Sequence, residues 1–253
     1  MTIRRRISSS RSTLLYLPVA LILFTALIVM GVSVFLKIMV IEVEGATRYT
    51  KEEIIVVSGI SAGDNIMFLD TDSAARRIQN AYAYINEVVI EPVPPYSVLI
   101  TVTESNAVAY LEYQNNILLI DTAGKVLNRV ESIPRGLIEV RGLTKFEAEV
   151  GGVLRPVAGN DTQVRSVGEV LAAFDRTGIM NDVSYLDVTH ISKIIFGYMG
   201  RFKVLLGESK NADFRLHTLP VWGMNLLEQI SAGVTGTLDI SDPSGYRSWN
   251  PDY

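Results

Sequence analysis

Residues 88–104 read VVIEPVPPYSVLITVTE, and in this stretch two alternating apolar patterns flank a cluster of prolines. The alternating apolar positions are Val88 and Ile90 before the cluster and Val98, Ile100 and Val102 after it. Alternation with period two predicts strands with one buried face, and proline interrupts a strand because it has no amide hydrogen to donate. The stretch therefore predicts two strands separated by a turn that contains Pro92, Pro94 and Pro95.

The residues before this pair of strands predict one strand and two short helices. A short strand pattern, MVIEV at 39–43, comes first. The sequence TKEE at 50–53 fits a capping box, and Gly59 suits the end of the helix that follows it. Asp70 or Thr71 can cap a second helix. The predicted order up to the end of the two strands is therefore β-α-α-β-β.

Further upstream, the 23 residues from Leu14 to Leu36 carry no charge. A helix rises ~1.5 Å per residue, so this run is long enough to cross the ~30 Å hydrocarbon core of a bilayer. A cleaved signal peptide would have an apolar region of only ~7–15 residues, and no Ala-x-Ala cleavage pattern follows the run. The run therefore predicts an uncleaved transmembrane helix over residues 14–36.

The charges on either side of this run predict its orientation. Residues 1–13 contain four arginines and no acidic residue, whereas Glu42 and Glu44 follow Lys37 on the other side. Basic residues close to a membrane helix stay in the cytoplasm. The sequence therefore predicts a cytoplasmic tail over residues 1–13, with the rest of the chain outside the cell membrane.

The composition excludes several classes of function. The formal net charge is −4, and without the four arginines of the tail it is −8 for the part after the uncharged run. An acidic domain lacks the basic surface with which proteins bind nucleic acid. The chain has no cysteine, so disulfides, thiolate ligands and thiol nucleophiles are excluded.

The region after residue 105 predicts a second domain. Short strand patterns follow one another at 107–113, 117–120, 185–189, 193–196 and 201–206. An amphipathic helix ends before Gly178, and a second helical pattern covers Asp213–Ile230. Within that second pattern, Pro220 either kinks the helix or lies in its first turn after a Thr218 cap. The region therefore predicts a mixed, mainly antiparallel sheet with two helices.

Motifs that would indicate catalysis or metal binding are missing from the sequence. Neither Ser-x-x-Lys nor Gly-x-Gly-x-x-Gly occurs, and no P-loop precedes the Ala-Gly-Lys turn at 123–125. His190, in a strand-like run, and His217 lack the spacing of a metal site. The acidic pairs Asp70/Asp72 and Asp239/Asp242 are typical of a helix cap and a turn, although a glycosidase also uses two carboxylates. We therefore predict no enzyme activity, no cofactor and no metal site.

Four segments in this order resemble the FtsQ/DivIB family of bacterial cell-division proteins. They are VIEVEG at 40–45, SGISAGDNIMFLD at 58–70, the stretch at 88–104 that opens this section, and LLIDTAGKVL at 118–127. The resemblance implies an α+β protein with a POTRA domain, a polypeptide-transport-associated fold, directly after a single membrane anchor. The domains expected in chain order are a tail over 1–13, the anchor over 14–36, a POTRA domain over 38–105, a β-rich domain over 106–235, and C-terminal strands and a tail over 236–253.

The same resemblance implies a function without catalysis. The family members are bitopic membrane scaffolds that recruit or stabilise other division proteins at the septum, and their usual partners are the small coiled-coil proteins of the FtsB/DivIC and FtsL type. Two alternatives remain open from the residues alone. One is a membrane-anchored enzyme of the cell envelope, and the other is a POTRA-type translocation or assembly component.

The expected partner-binding residues lie at the C-terminus and are Thr237, Leu238, Asp239, Ile240, Tyr246 and Trp249. Polar and apolar residues alternate in GTLDIS at 236–241, so Leu238 and Ile240 can face the core while the backbone edge of the strand stays open. The resemblance implies that this edge accepts a strand from a coiled-coil partner. The alternative is that Tyr246 and Trp249 only cover the end of the domain.

Overall fold

The computed structural model describes residues 11–157, 159–231 and 233–252. Within its first helix, it describes the side chains of residues 16–28 and 31. That helix, α1, spans Arg11–Phe35. The predicted tail lies outside the described residues except for its last three positions. Among the helices as far as they are described, none is both long enough and apolar enough to cross a membrane.

The described chain forms two compact units. After α1, the first unit contains β1 (Val40–Glu44), α2 (Lys51–Ser58) and most of α3 (Thr71–Ala81), β2 (Ile85–Val93) and β3 (Ser97–Glu104). The strand order is β1-β3-β2, and β1 runs parallel to β3. The β-α-α-β-β order predicted from the sequence is therefore confirmed, with one additional short 3-10 helix at Ile66–Phe68.

Local signals begin and end the helices of this first domain. The Thr50 hydroxyl accepts a hydrogen bond from the Glu53 amide at 3.2 Å, and the Glu53 carboxylate accepts one from the Thr50 amide at 2.8 Å. Gly59 ends α2 in the left-handed conformation with φ of 70°. Of the two candidate caps for α3, Asp70 accepts a bond from the Ser73 amide at 3.0 Å. The capping box and the glycine stop are thus confirmed.

The sequence predicted that Pro92, Pro94 and Pro95 all lie in the turn between β2 and β3, and this is wrong for one of them. Pro92 lies inside β2, which continues to Val93, so only Pro94 and Pro95 interrupt the strands. β2 is the last strand of its three-stranded sheet. A proline is tolerated there because an edge strand has one side without ladder hydrogen bonds.

The second domain is built on a nine-stranded sheet. Its strands in chain order are β4 (Ala109–Tyr113), β5 (Asn116–Ile120), β6 (Val126–Val130), β7 (Ile138–Arg141), β10 (Val183–Asp187), β11 (Ile194–Tyr198), β12 (Phe202–Gly207), β13 (Gly236–Asp239) and β14 (Ser248–Pro251). Two further short strands, β8 (Phe146–Glu147) and β9 (Arg155–Pro156), pair with each other. The spatial order is β14-β13-β12-β11-β10-β7-β4-β5-β6. Most neighbours are antiparallel, as predicted, but β7 is parallel to both β4 and β10, and β13 is parallel to β12.

The helices of this domain differ from the prediction at one place. The helix that ends before Gly178 is α4 (Asp161–Thr177), as expected. The single pattern predicted over Asp213–Ile230 forms two helices, α5 (Ala212–Leu216) and α6 (Leu219–Gln229). Pro220 lies in the first turn of α6, because its missing amide hydrogen would interrupt a helix that continued from α5. The described part of the domain therefore has three helices, not two.

The core of the second domain lies between the sheet and the helices. Phe174 from α4 packs against Phe196 from β11, with ring centroids 4.8 Å apart, and Tyr198 lies beside Phe196. All three side chains are fully buried. His190 lies in an exposed turn after β10 and not in a strand, so the prediction of its location was wrong.

Candidate partner-binding edge

The strand that was predicted to bind a partner, β13, alternates as its sequence suggests. Leu238 and Ile240 are buried in the core, whereas Thr237 and Asp239 are only half-buried. The inward direction expected for Leu238 and Ile240 is therefore observed. It also means that neither side chain can contact a partner.

The prediction that the backbone edge of β13 stays open is wrong. β14 pairs with β13 in antiparallel register, which places Trp249 opposite Leu238 and Asn250 opposite Thr237. The chain returns through a turn at residues 241–247, which is long enough for a hairpin-like connection and brings β14 alongside. The outermost strand on this side of the sheet is consequently β14.

Trp249 covers this end of the core. Its indole packs edge-to-face on Phe202, with ring centroids 5.5 Å apart and planes at 86°. The ring also lies against Gly236, where an added Cβ would come within 2.5 Å of a ring carbon of Trp249. Because Gly236 has no side chain, the indole can lie against β13 at this position. Tyr246, in contrast, has 69% of its surface exposed.

The hydrogen-bond pattern defines which backbone groups of β14 face outward. The Asp252 amide donates to the Thr235 carbonyl at 3.0 Å. Amides alternate between the two sides of an antiparallel strand, so those of Ser248 and Asn250 also point toward β13. The Trp249 amide then points away from the sheet. Pro251 has no amide hydrogen, so a strand added on the outside would lose its pairing there.

A groove runs beside this edge, between the start of β14 and helix α6. It has a volume of about 600 Å³ and is lined by His217, Thr218, Val221, Trp222, Asn225, Gly245, Tyr246 and Arg247. Val221 is 66% exposed, so the groove presents an apolar side chain from α6 next to the Tyr246 ring. The lining includes Arg247 and His217 but no carboxylate. Its chemistry suits a segment with apolar side chains and a neutral or negative charge.

The two aspartates near this edge have structural roles. Asp239 accepts hydrogen bonds from the amide and the hydroxyl of Ser241, at 2.9 and 2.7 Å. Asp242 accepts the same pair of bonds from Ser244, which holds the pKa of the Asp242 carboxyl below its usual value. Both carboxylates therefore stabilise the turn that leads to β14, as the turn prediction implied.

The sequence prediction missed the contribution of α6 to this site. The α6 sequence LPVWGMNLLEQ carries apolar residues on every face, and Val221 and Met224 are exposed in the fold. A helix that is apolar all round is normally buried, so exposed members indicate a contact surface. That composition was the signal in the sequence. The location of the helix beside β14 could not be derived from it.

A second groove, in the same domain, holds a hydrogen-bonded group of two hydroxyls and a carboxylate but no histidine. It has a volume of about 780 Å³ and lies between α4, α5 and the segment at 208–211. Ser209 donates to Glu169 at 2.6 Å and lies 3.1 Å from Ser166, but no histidine lines the groove to take a proton from either hydroxyl. In the part of the chain that the structure describes, no cluster of three or more potential metal ligands occurs.

Comparison with known proteins connects this architecture to one family. Residues 36–105 match the family model described as "POTRA domain, FtsQ-type". The cell division protein FtsQ of Corynebacterium glutamicum is 29% identical over 58% of this chain and 68% of its own length. The cell division protein DivIB of Clostridium botulinum is 27% identical over 87% of this chain and 86% of its own length. The resemblance to the FtsQ/DivIB family is confirmed.

A solved structure was also matched. The major extracytoplasmic domain of DivIB from Geobacillus stearothermophilus aligns with 51% of this chain and 99% of its own, at 10% identity and a TM-score of 0.34. A TM-score of this size does not establish a shared fold. The resemblance to FtsQ/DivIB proteins rests on the sequence relatives and on the POTRA match, which covers the β-α-α-β-β domain.

Proposed function

We propose that this chain is a non-enzymatic, bitopic membrane scaffold of the bacterial division machinery. It recruits or stabilises other division proteins at the septum through its two domains outside the membrane. The FtsQ-type POTRA match and the relatives that are named cell division proteins support a role in division. The resemblance to FtsQ/DivIB scaffolds favours this function over an enzyme of the cell envelope.

The proposed anchor is the uncharged run at residues 14–36. Its support is the length of the run and the helix α1, whose described side chains are apolar and exposed for most of residues 16–28. The arginines of the tail place the N-terminus in the cytoplasm by the positive-inside rule. The domains proposed outside are the POTRA domain over 38–105 and the β-rich domain over 106–235, with the strands and tail at 236–253.

The partner surface of this scaffold is the outer edge of β14 together with the groove beside Tyr246. A single observation carries this part: β14 is the last strand of the sheet and directs the Trp249 amide outward. Exposed edges accept an extended segment as an added strand, and backbone pairing gives such complexes their affinity. A neighbouring aromatic side chain then serves as an anchor.

The partners proposed for this edge are the small coiled-coil division proteins of the FtsB/DivIC and FtsL type. Of the predicted contact residues, Tyr246 and the backbone of Trp249 remain on the partner side. Thr237 and Asp239 belong to β13, which pairs with β14. Leu238 and Ile240 are buried in the core beside this strand pair.

The test is capture of division proteins from membranes by the tagged full chain, with two substitutions at one position. Arg247→Pro removes the amide hydrogen that directly precedes β14 as well as the side chain, whereas Arg247→Ala removes only the side chain. Proline is tolerated at the start of an edge strand, so both variants should fold. Backbone pairing predicts that the proline variant captures about tenfold less partner and the alanine variant retains most capture.

The outcome separates the docking mode from the scaffold function. Equal capture by Arg247→Pro and the unchanged chain means that partners do not add a strand to β14. If no division membrane protein is identified by mass spectrometry with the unchanged chain, the scaffold function itself is wrong. Activity on wall polymer or lipid carrier that is lost on a single polar-to-alanine change would instead favour the enzyme.

A further inference from the structure

The chain enters the first domain without a free linker. The Ile66 amide donates to the Leu36 carbonyl at 2.9 Å, and the Ile38 amide donates to the Asp64 carbonyl at 2.8 Å. The Gly63 amide donates back to the Ile38 carbonyl at 2.8 Å. Helix α1 ends at Phe35, so the segment that follows it is bound to the loop at 63–66 from its first residue onward.

A second loop is bonded to the same segment. The amides of Met39 and Val40 both donate to the Tyr96 carbonyl, at 2.7 and 3.2 Å. Tyr96 belongs to the turn between β2 and β3. Two loops of the first domain are thus held by backbone hydrogen bonds within five residues of the end of α1.

The two loops and the segment that follows α1 carry large apolar side chains that face solvent. We call these four residues the apolar rim, and their exposed fractions are 74% for Met39, 68% for Met67, 76% for Phe68 and 48% for Tyr96. Met67 and Phe68 belong to the 3-10 helix that directly follows the bonded loop at 63–66. Isolated exposed apolar residues are common, but a group of four at one end of a small domain indicates a contact surface.

The location of the rim identifies what it contacts. If residues 14–36 span the bilayer, the hydrocarbon core ends near Leu36. At ~3.3 Å per residue, the rim is bonded to the chain within ~15 Å of that boundary, and the polar head-group layer is itself several ångströms thick. Aromatic side chains favour this layer, and the exposed Lys37 can extend its ammonium group to the lipid phosphates.

We propose that the apolar rim of the POTRA domain rests in the head-group layer on the outer face of the cell membrane. The contact restrains the tilt of the POTRA domain relative to the membrane. The anchor and the apolar rim then both fix the end of the domain that faces the membrane. This inference depends on the membrane anchor proposed above. It does not depend on the partner edge at β14.

A lipid quenching experiment tests the contact in the full chain. Because the chain contains no cysteine, Met67→Cys provides a unique site for a fluorescent label. The matched control is Thr103→Cys, an exposed position on β3 six residues beyond Ser97, which is ~20 Å further along the strand. Both proteins are reconstituted into vesicles of phosphatidylethanolamine and phosphatidylglycerol that contain a nitroxide lipid.

The rim contact predicts at least about threefold stronger quenching at position 67 than at position 103, since nitroxide quenching is effective only over short distances compared with ~20 Å. Replacing Met39 and Phe68 by Ser in the position 67 protein should lower the quenching, and neither exposed change should affect folding. Vesicle-bound protein with equal quenching at both positions overturns this inference and leaves the anchor standing. A chain that does not float with the vesicles overturns both.

Discussion

The two domains differ in how much of their structure is indicated by short sequence signals. In the first domain the signals are local: the capping box of Thr50 with Glu53 begins α2, and Asp70 begins α3. In the second domain the central strand β7 pairs with β4 and β10, which lie well before and well after it in the chain. Both domains contain pairings between distant strands, such as β1 with β3. The helices of the first domain are nevertheless marked by neighbouring residues, whereas β7 of the second has no such local signal.

A second difference concerns the exposed apolar side chains. Those of the first domain gather where the chain enters it, at Met39, Met67 and Phe68. Those around the candidate partner edge gather near the C-terminal strand, at Val221 and Tyr246. The comparison suggests a division of labour, in which one domain contacts lipid and the other contacts protein.

The largest expected effect is confined to the first domain. Ile78 is fully buried in α3, so Ile78→Asp places a carboxylate without a partner in the core and should cost more than about 4 kcal/mol. Hydrogen exchange of the full chain should show lost protection in β1 and β3 and retained protection in β11. Asn80→Asp, an exposed change in the same helix, is the control and should leave both patterns unchanged. Retained protection of β3 in the Ile78 variant would mean that Ile78 is not part of the core on which the first domain depends.

The next effect is confined to the second domain. Phe174→Ala removes a fully buried ring that packs on Phe196, and such a cavity costs about 3–5 kcal/mol. Phe214→Ala removes a ring that is mostly exposed, so it should change the free energy of unfolding by less than about 0.5 kcal/mol. Urea unfolding followed by domain-resolved hydrogen exchange measures both. A similar cost for the two variants would contradict the assigned core.

A smaller effect should loosen only the last strand. Gly236→Ala places a methyl group in the space of the Trp249 ring, at a cost of about 1–3 kcal/mol, and should raise the exchange rate of β14 amides. Gly168→Ala is the matched control, because the nearest atom to its Cβ would be a carbonyl oxygen at 3.6 Å. In the helix α4 this change should be neutral or stabilising. Unaltered exchange in β14 would show that the indole does not hold the strand.

The smallest expected change is a gain in stability. The Tyr198 hydroxyl is buried and has no hydrogen-bond partner, and burial raises the pKa of this phenol to about 12. Tyr198→Phe should therefore stabilise the second domain by about 1 kcal/mol at neutral pH. The raised pKa favours the neutral phenol in the fold, so the stability that depends on it is present below pH ~10 and is lost as the pH rises toward 12. The variant should lose less stability over that range than the unchanged chain. Tyr246→Phe, at an exposed site, should change the stability at neutral pH by less than about 0.5 kcal/mol.

The same contrast explains what could be predicted from the sequence. The caps, the alternation at 88–104 and the segments shared with FtsQ/DivIB proteins gave the β-α-α-β-β domain and its order, because each signal lies within a few residues. β7 was missed because its four residues form a strand only by pairing with distant segments. The free edge was assigned to β13 because nothing in GTLDIS indicates that β14 returns to cover it. The groove beside Tyr246 was missed for the same reason, since α6 comes from another part of the chain.

The central claim, that partners dock at the outer edge of β14, is tested most directly by photo-cross-linking in growing cells. A photoreactive amino acid at position 246 of the full chain lies in the groove beside that edge, and the same residue at exposed position 103 of the POTRA domain serves as the control. The account predicts a cross-link from position 246, and not from 103, to a small membrane protein of the division machinery identified by mass spectrometry. A division protein that cross-links from position 103 and not from 246 would contradict it.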